Sequence, residues 1–233
     1  MLLSTLWFMI RIGKKNIKIA IFDLDGTLLD SCGVWKEVDK RFFLKRGLEL
    51  PLTYGDEIGH LGLDQAAVYT KENFNLKEST EEIMEEWMND VTFFYENEVE
   101  LKPHAKEFLD ILKKNNVIMC VATANSKECY EPALKRNGIY DYFDTIEDVK
   151  KLKNGKKDAT IYLNIAKKYS VDPSEVIVFE DILLGLQNAS NASFVTCAVY
   201  EKTCKDEENK KLISTLYIND YKEAIALIDM EVK

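Results

Sequence analysis

The stretch from Ile17 to Ser31, I-K-I-A-I-F-D-L-D-G-T-L-L-D-S, constrains the fold more than any other part of the chain. A run rich in β-branched residues stops abruptly at two aspartates, a glycine and a threonine. An apolar run ended by such punctuation is the pattern of a buried strand entering a turn. In open α/β sheets the chemistry lies just beyond the carboxyl ends of the strands. Asp23 and Asp25 belong there, on one side of an extended chain because strand side chains alternate. Gly26 permits the sharp exit. Two carboxylates this close repel, so the site calls for a cation or a shared proton.

Other readings of the stretch fail on spacing. A calcium-binding EF-hand loop requires glycine at its sixth position and glutamate at its twelfth. Counted from Asp23, those places hold Leu28 and Val34. A phosphate-binding P-loop requires G-x-x-x-x-G-K-[ST]. Gly155-Lys156-Lys157 lacks both the upstream glycine and the hydroxyl.

Downstream, the hydrophobic period changes twice. Residues 31–100 carry helical spacing and no strong strand signal. Val34, Trp35, Val38, Phe42 and Phe43 mark one helix that stops near Gly47. Asp64 to Phe74 reads as a second, with Asp64 as its cap. A third begins at Ser79-Thr80 and carries Ile83, Met84, Trp87, Met88, Val91, Phe94 and Tyr95 on one face. From residue 101 onward strands alternate with helices. Pro103 opens a helix. Val117–Ala122 is a strand ending in Thr123-Ala124-Asn125-Ser126, and a helix from Lys127 stops at Gly138. Phe143–Ile146 is a short strand. A helix from Asp158 to Tyr169 leads to the strand Val176–Phe179, which ends in Glu180-Asp181. Further elements are a helix from Ile182 to Asn191, strands Phe194–Val199 and Thr215–Ile218, and a closing helix Tyr221–Met230. This alternation predicts an α/β fold: a Rossmann-like parallel sheet with helices on both faces. The catalytic core is residues 1–30 and 101–233, and residues 31–100 form an inserted small helical cap. The first dozen residues are apolar but too short to span a bilayer. They read as an extra strand, a loosely packed arm or an over-extended start.

Charge and cysteines narrow the function. A formal net charge of -9 argues against nucleic acid as a partner, since phosphate backbones need clustered cations. Cys32, Cys120, Cys129, Cys197 and Cys204 are scattered and odd in number. They fit a reducing cytoplasm better than a disulfide scaffold. His60 and His104 are the only histidines, which excludes a histidine-rich zinc site.

Asp23-Leu24-Asp25-Gly26-Thr27-Leu28 resembles the first motif of the haloacid dehalogenase superfamily, a group of aspartate-nucleophile phosphatases and phosphomutases. Thr123 at the end of the second apolar strand resembles the second motif, with Ala124 supplying a backbone N–H to phosphate. Lys156, or its neighbour Lys157, resembles the lysine of the third. Glu180-Asp181 after V-I-V-F resembles the fourth, followed by Gly185-Leu186-Gln187-Asn188-Ala189. The resemblance covers residues 17 to about 200.

It implies that Asp23 attacks phosphorus and forms an aspartyl-phosphate, and that Asp25 is the general acid and base. It implies a Mg²⁺ site made of Asp23, the backbone carbonyl of Asp25, Glu180 and Asp181, with Thr123, Ala124 and Lys156 binding phosphate. His60 and Asn125 are candidate substrate contacts. The implied partner is a small phosphorylated metabolite, and neither nucleic acid nor stable membrane insertion is expected; monomer and dimer stay open. The helical insert resembles the cap of the β-phosphoglucomutase-like subfamily. A phosphatase is favoured over a mutase, because residues 51–66 contain no Lys or Arg to anchor a second phosphate. Trp35 also stands where those mutases have histidine. The remaining alternative is a non-catalytic regulator that binds a phosphometabolite.

Overall fold

A computed structural model describes residues 10–149 and 158–229. The chain divides into two compact units: Met1–Ser31 with Glu100–Lys233, and Cys32–Val99. From sequence the divisions are expected at 30/31 and 100/101.

The first unit begins with three short strands, β1 (Ile10–Ile12), β2 (Lys15–Ile17) and β3 (Ile19–Phe22). The chain then enters the second unit through α1 (Val34–Lys45), α2 (Tyr54–Ile58), α3 (Leu63–Asn73) and α4 (Thr80–Asn97). It returns with α5 (Ala105–Lys114), β4 (Ile118–Thr123), α6 (Lys127–Arg136), β5 (Thr145–Asp148), α7 (Thr160–Tyr169), β6 (Val176–Glu180), α8 (Leu183–Asn191), β7 (Val195–Val199), α9 (Glu207–Ile213), β8 (Leu216–Ile218), α10 (Tyr221–Ala226) and β9 (Ile228–Asp229).

Six strands form a parallel sheet in the order β5-β4-β3-β6-β7-β8. Their apolar residues run without alternation because helices cover both faces. Ile19 and Ile21 pack with Ile161, Tyr162 and Ile165 of α7. On the opposite face Phe22 stacks on Phe179 at 4.7 Å, and Phe108 and Tyr221 close over them. β3 lies between β4 and β6, with Phe22 in register with both Val121 and Phe179. After β5 the chain crosses β3 to build the other half of the sheet. That reversal puts the ends of β3 and β6 at the switch point, where side chains have room to converge.

Several boundaries differ from the sequence reading. The expected strand through Ile17 is interrupted at Lys18, whose ammonium pairs with Glu175 at 2.7 Å. β2 instead joins β1 and β9 in a small antiparallel sheet. The closing helix therefore stops at Ala226, and Ile228 pairs with Ile12. Pro103 precedes the His104 N-cap of α5 rather than lying inside the helix. The helix α9 had no expected counterpart. Residues 1–9 and 150–157, including Lys156 and Lys157, are outside the described residues. Among the described residues no helix is long and apolar enough to cross a membrane. All five cysteines are free thiols.

In the second unit α4 starts with a capping box, in which Ser79 and Glu82 satisfy each other's backbone N–H. Ile83, Trp87, Val91, Phe94 and Tyr95 are buried, whereas Met88 of the expected face is exposed. Asp90 takes a place on the buried side and accepts from Lys45 at 2.9 Å. α3 is capped by Gly62, with Asp64 in its first turn. The five-residue α2 was not expected, because so short a segment carries no period. Tyr54 anchors it, fully buried, with its hydroxyl 2.7 Å from Thr70 Oγ1.

Asp39 of α1 carries a carboxyl that burial pushes up to about 6. The unfolded chain ionises first, so this group lowers stability as pH rises from about 4 to about 6, and the penalty is complete above that. Asp39→Asn is therefore expected to stabilise the protein by about 1.5 kcal/mol at pH 7, after allowance for partial exposure, and by almost nothing at pH 4. Urea unfolding of both proteins at the two pH values checks this; equal gains at both would refute it.

Candidate active site

Asp23 follows the last residue of β3, and its N–H donates to Phe179 O at 3.0 Å, which locks the tip of β3 to β6. The chain then turns back on itself. The N–H groups of Thr27, Leu28 and Leu29 all point to Leu24 O, at 2.8–3.2 Å. Gly26 makes the turn in the left-handed region at φ +77°, where a side chain would be strained. This tight loop delivers three side chains in different directions.

Asp23 joins Glu180 and Asp181 from the end of β6: one carboxylate oxygen of each lies within 4.8 Å of the others, and all three residues are buried. Burial, and then the charge of Glu180, raises the Asp181 carboxyl to about 7. Asp181 is held on every side. Thr27 Oγ1 donates to Oδ1 at 3.2 Å, Cys204 Sγ donates to Oδ2 at 3.2 Å, and Lys210 Nζ donates to its backbone carbonyl at 2.9 Å. Glu180 accepts from the Tyr162 hydroxyl at 3.1 Å and from the Ile182 N–H at 3.3 Å.

The carboxylate of Asp25 is not among the three. Ser31 Oγ donates to it at 2.6 Å, and Asn125 Nδ2 reaches its two oxygens at 3.2 and 3.0 Å. Thus the two aspartates of one motif make different contacts: Asp23 lies with Glu180 and Asp181, and Asp25 accepts from Ser31 and Asn125. Asn125 in turn comes from the loop after β4, where its N–H donates to Thr123 Oγ1 at 3.0 Å. Thr123 is fully buried and Ala124 exposed. Ser126 is the N-cap of α6.

Of the expected residues, Thr123 and Glu180 end β4 and β6, and Asp23, Asp25, Ala124, Asn125 and Asp181 lie on the loops that follow β3, β4 and β6. His60 is an exposed residue of the helical unit. Sequence reasoning assigned no role to Thr27, Ser31, Tyr162, Cys204 or Lys210. Thr27 was visible within the first motif. Lys210 gave no signal: it sits in the charged run E-E-N-K-K, yet it is 1% exposed.

Three buried carboxylates within 4.8 Å of one another repel strongly unless a cation or a proton intervenes. Their hard oxygens suit Mg²⁺, which takes few protein ligands and keeps water and phosphate oxygens in its shell. The donor set fits that ion.

Gly185 in α8 makes room for Glu180. A Cβ placed there would lie 2.6 Å from Glu180 Cγ and Oε2. Although alanine is the better helix former, Gly185→Ala is expected to destabilise the protein by about 1–3 kcal/mol as Glu180 is forced aside. Chemical denaturation measures the effect, and a neutral or stabilising result would mean that Glu180 moves without resistance.

A sequence profile of the haloacid dehalogenase-like hydrolases matches residues 20–199. The chain is 25% identical over 176 residues to a phosphorylated carbohydrates phosphatase of Thermotoga maritima, covering 76% of this chain and 82% of that one. It is 27% identical over 180 residues to hexitol phosphatase B of Escherichia coli K12, covering 74% and 78%. Its fold is similar to that of a Thermotoga maritima protein assigned as a β-phosphoglucomutase, with a TM-score of 0.79 at 22% identity over 87% of this chain and 94% of that one. The motif order, the sheet topology and the profile agree, and the chain belongs to the haloacid dehalogenase-like hydrolases.

Proposed function

We propose that this hydrolase is a Mg²⁺-dependent phosphatase that removes phosphate from a small phosphorylated metabolite through an aspartyl-phosphate on Asp23. The observation that supports it best is the division of labour at the end of β3. Asp23 sits with Glu180 and Asp181, while Asp25 is held apart by Ser31 and Asn125.

In the proposed reaction an oxygen of Asp23 attacks phosphorus and the bond to the leaving oxygen breaks. Asp25, in its protonated form, gives its proton to that leaving oxygen. Water then attacks the aspartyl-phosphate, Asp25 takes the water's proton, and the Asp23 carboxylate is released. Ser31 and Asn125 hold the Asp25 carboxyl in one orientation through both steps. Thr123, the N–H of Ala124 and Lys156 bind the phosphate oxygens in this reading. Mg²⁺ held by Asp23, Glu180, Asp181 and the Asp25 carbonyl would neutralise charge on the transferring phosphoryl group.

The relatives named for phosphorylated carbohydrates and hexitols support sugar and polyol phosphates as the first compounds to try. Phosphatase is preferred to mutase on the lack of Lys and Arg in residues 51–66. The test is phosphate release from a panel of monoesters and p-nitrophenyl phosphate, with Mg²⁺ and with EDTA. Release that requires Mg²⁺ is expected. No release from folded protein on any compound would overturn the phosphatase reading; turnover of a sugar 1-phosphate only with a bisphosphate activator would replace it with the mutase.

A further inference from the structure

Lys210 is the only buried Lys or Arg among the described residues. A lysine is almost never fully buried unless an acid pairs with it, because taking the ammonium out of water is costly. Its hydrogen bond goes instead to a neutral group, the backbone carbonyl of Asp181 at 2.9 Å. Glu207, one turn back on α9, is engaged elsewhere. It pairs with Lys211 at 2.8 Å and accepts from the Tyr217 hydroxyl at 3.0 Å, and it feels Lys210 only weakly, at a distance.

Holding one carbonyl does not account for this lysine. A neutral donor would satisfy the carbonyl without burying a charge. A buried charge is favourable only where opposite charge is close and equally shielded from water. Such charge is one residue's length away. The residue whose carbonyl receives Lys210 is the same one whose carboxylate completes the buried cluster with Asp23 and Glu180. The other two groups on the Asp181 side chain, the Thr27 hydroxyl and the Cys204 thiol, are neutral donors. They orient the carboxylate and add no positive charge.

We propose that Lys210 is the internal counter-ion of the acidic cluster. It supplies fixed positive charge beside Asp23, Glu180 and Asp181 when no metal is bound, and it lowers the affinity with which those carboxylates take Mg²⁺. It is a positioning residue and touches neither substrate nor ion. Its hold on the carbonyl favours Mg²⁺ binding and its charge opposes it. The charge is expected to win, because it acts on a doubly charged ion at a buried site, where water and salt screen little. The statement about Mg²⁺ rests on the metal reading above; the statement about the empty cluster does not.

Lys210→Met has nearly the length of lysine and no charge. The test melts the wild type, Lys210→Met, Asp23→Asn and the double variant in EDTA and in one Mg²⁺ concentration well above Kd, and measures Mg²⁺ affinity by calorimetry without substrate. In EDTA, Lys210→Met is expected to lower the melting temperature by about 5 °C or more. In the Asp23→Asn background, where one acid is already neutral, the same substitution is expected to cost less than half as much. Mg²⁺ is expected to recover at least half of the loss, and its Kd to fall about tenfold. Equal losses in EDTA, in Mg²⁺ and in the Asp23→Asn background would make Lys210 a packing residue and overturn the proposal. Weaker Mg²⁺ binding by Lys210→Met also overturns it, since the lysine would then act only by holding the carbonyl. If Lys210→Met does not fold in EDTA, recovery in Mg²⁺ or through Asp23→Asn supports the counter-ion, and recovery in neither overturns it. If no variant and not the wild type binds Mg²⁺, the metal reading fails, and the two backgrounds compared in EDTA still decide the role of Lys210.

Discussion

Asp23→Asn is expected to lower phosphate release by at least ~10⁴-fold while leaving the protein folded. The amide has nearly the shape of the carboxylate but no charge with which to attack phosphorus, so covalent transfer stops at its first step. The structure also fixes the sign of the stability effect. Asp23 shares a buried cluster with Glu180 and Asp181, and like charges at this distance oppose folding when no cation is bound. Removing one of the three is expected to leave the melting temperature in EDTA unchanged or higher. Single-turnover release and thermal melts of the same preparation check both statements. A residual rate within about tenfold of the wild type would show that another group is the nucleophile. A large drop in melting temperature would show that Asp23 is a structural residue first.

The second large effect is expected at Asp181. Its carboxylate accepts from Thr27 and Cys204, and Lys210 holds its backbone carbonyl. The side chain is therefore fixed before any ion arrives. Such fixed support is what makes a ligand set selective and tight. Asp181→Asn keeps the oxygen that accepts from Thr27 and removes the charge. Mg²⁺ affinity is expected to fall by ~100-fold or more, measured by calorimetry on folded protein without substrate. The linked stability should follow. At ~100 times its Kd, Mg²⁺ stabilises the wild type by about 2.7 kcal/mol, and the same concentration should do almost nothing for the variant. This separates the two carboxylates: Asp23→Asn stops the chemistry even when the metal is bound, whereas Asp181→Asn loses the metal. Unchanged Mg²⁺ affinity in Asp181→Asn would remove Asp181 from the ligand set.

Much of the site was legible because a buried parallel strand has a local signature. V-I-V-F and I-A-I-F are too apolar to face water, so the first polar residues after them must lie at strand tips. That argument located Asp23, Thr123, Glu180 and Asp181 without any knowledge of sheet order. The signal failed where structure depends on remote partners. The helix around Tyr54 is only five residues long and forms because Tyr54 is buried against Phe43 and Phe74. The closing helix ends at Ala226 rather than Met230 because Ile228 pairs with Ile12 of β1, far away in sequence.

The sequence by itself determined the kind of fold, the order of the motifs and the residues offered at the strand tips, since each rests on patterns spanning a few residues. The tertiary structure decided which of those residues meet. The crossover after β5 sets β6 beside β3, so that Thr27 can donate to Asp181 across 154 residues, and β4 on the other side of β3 lets Asn125 donate to Asp25 across 100. The tertiary structure also gives Asp25 to Ser31 and Asn125 and Asp23 to the acidic cluster, a distinction invisible in D-L-D-G-T. It also buried Lys210, an ordinary member of a charged run, against the carbonyl of Asp181. Local patterns specify which side chains are presented; only the packing of distant segments fixes their distances, and electrostatic interaction depends on distance.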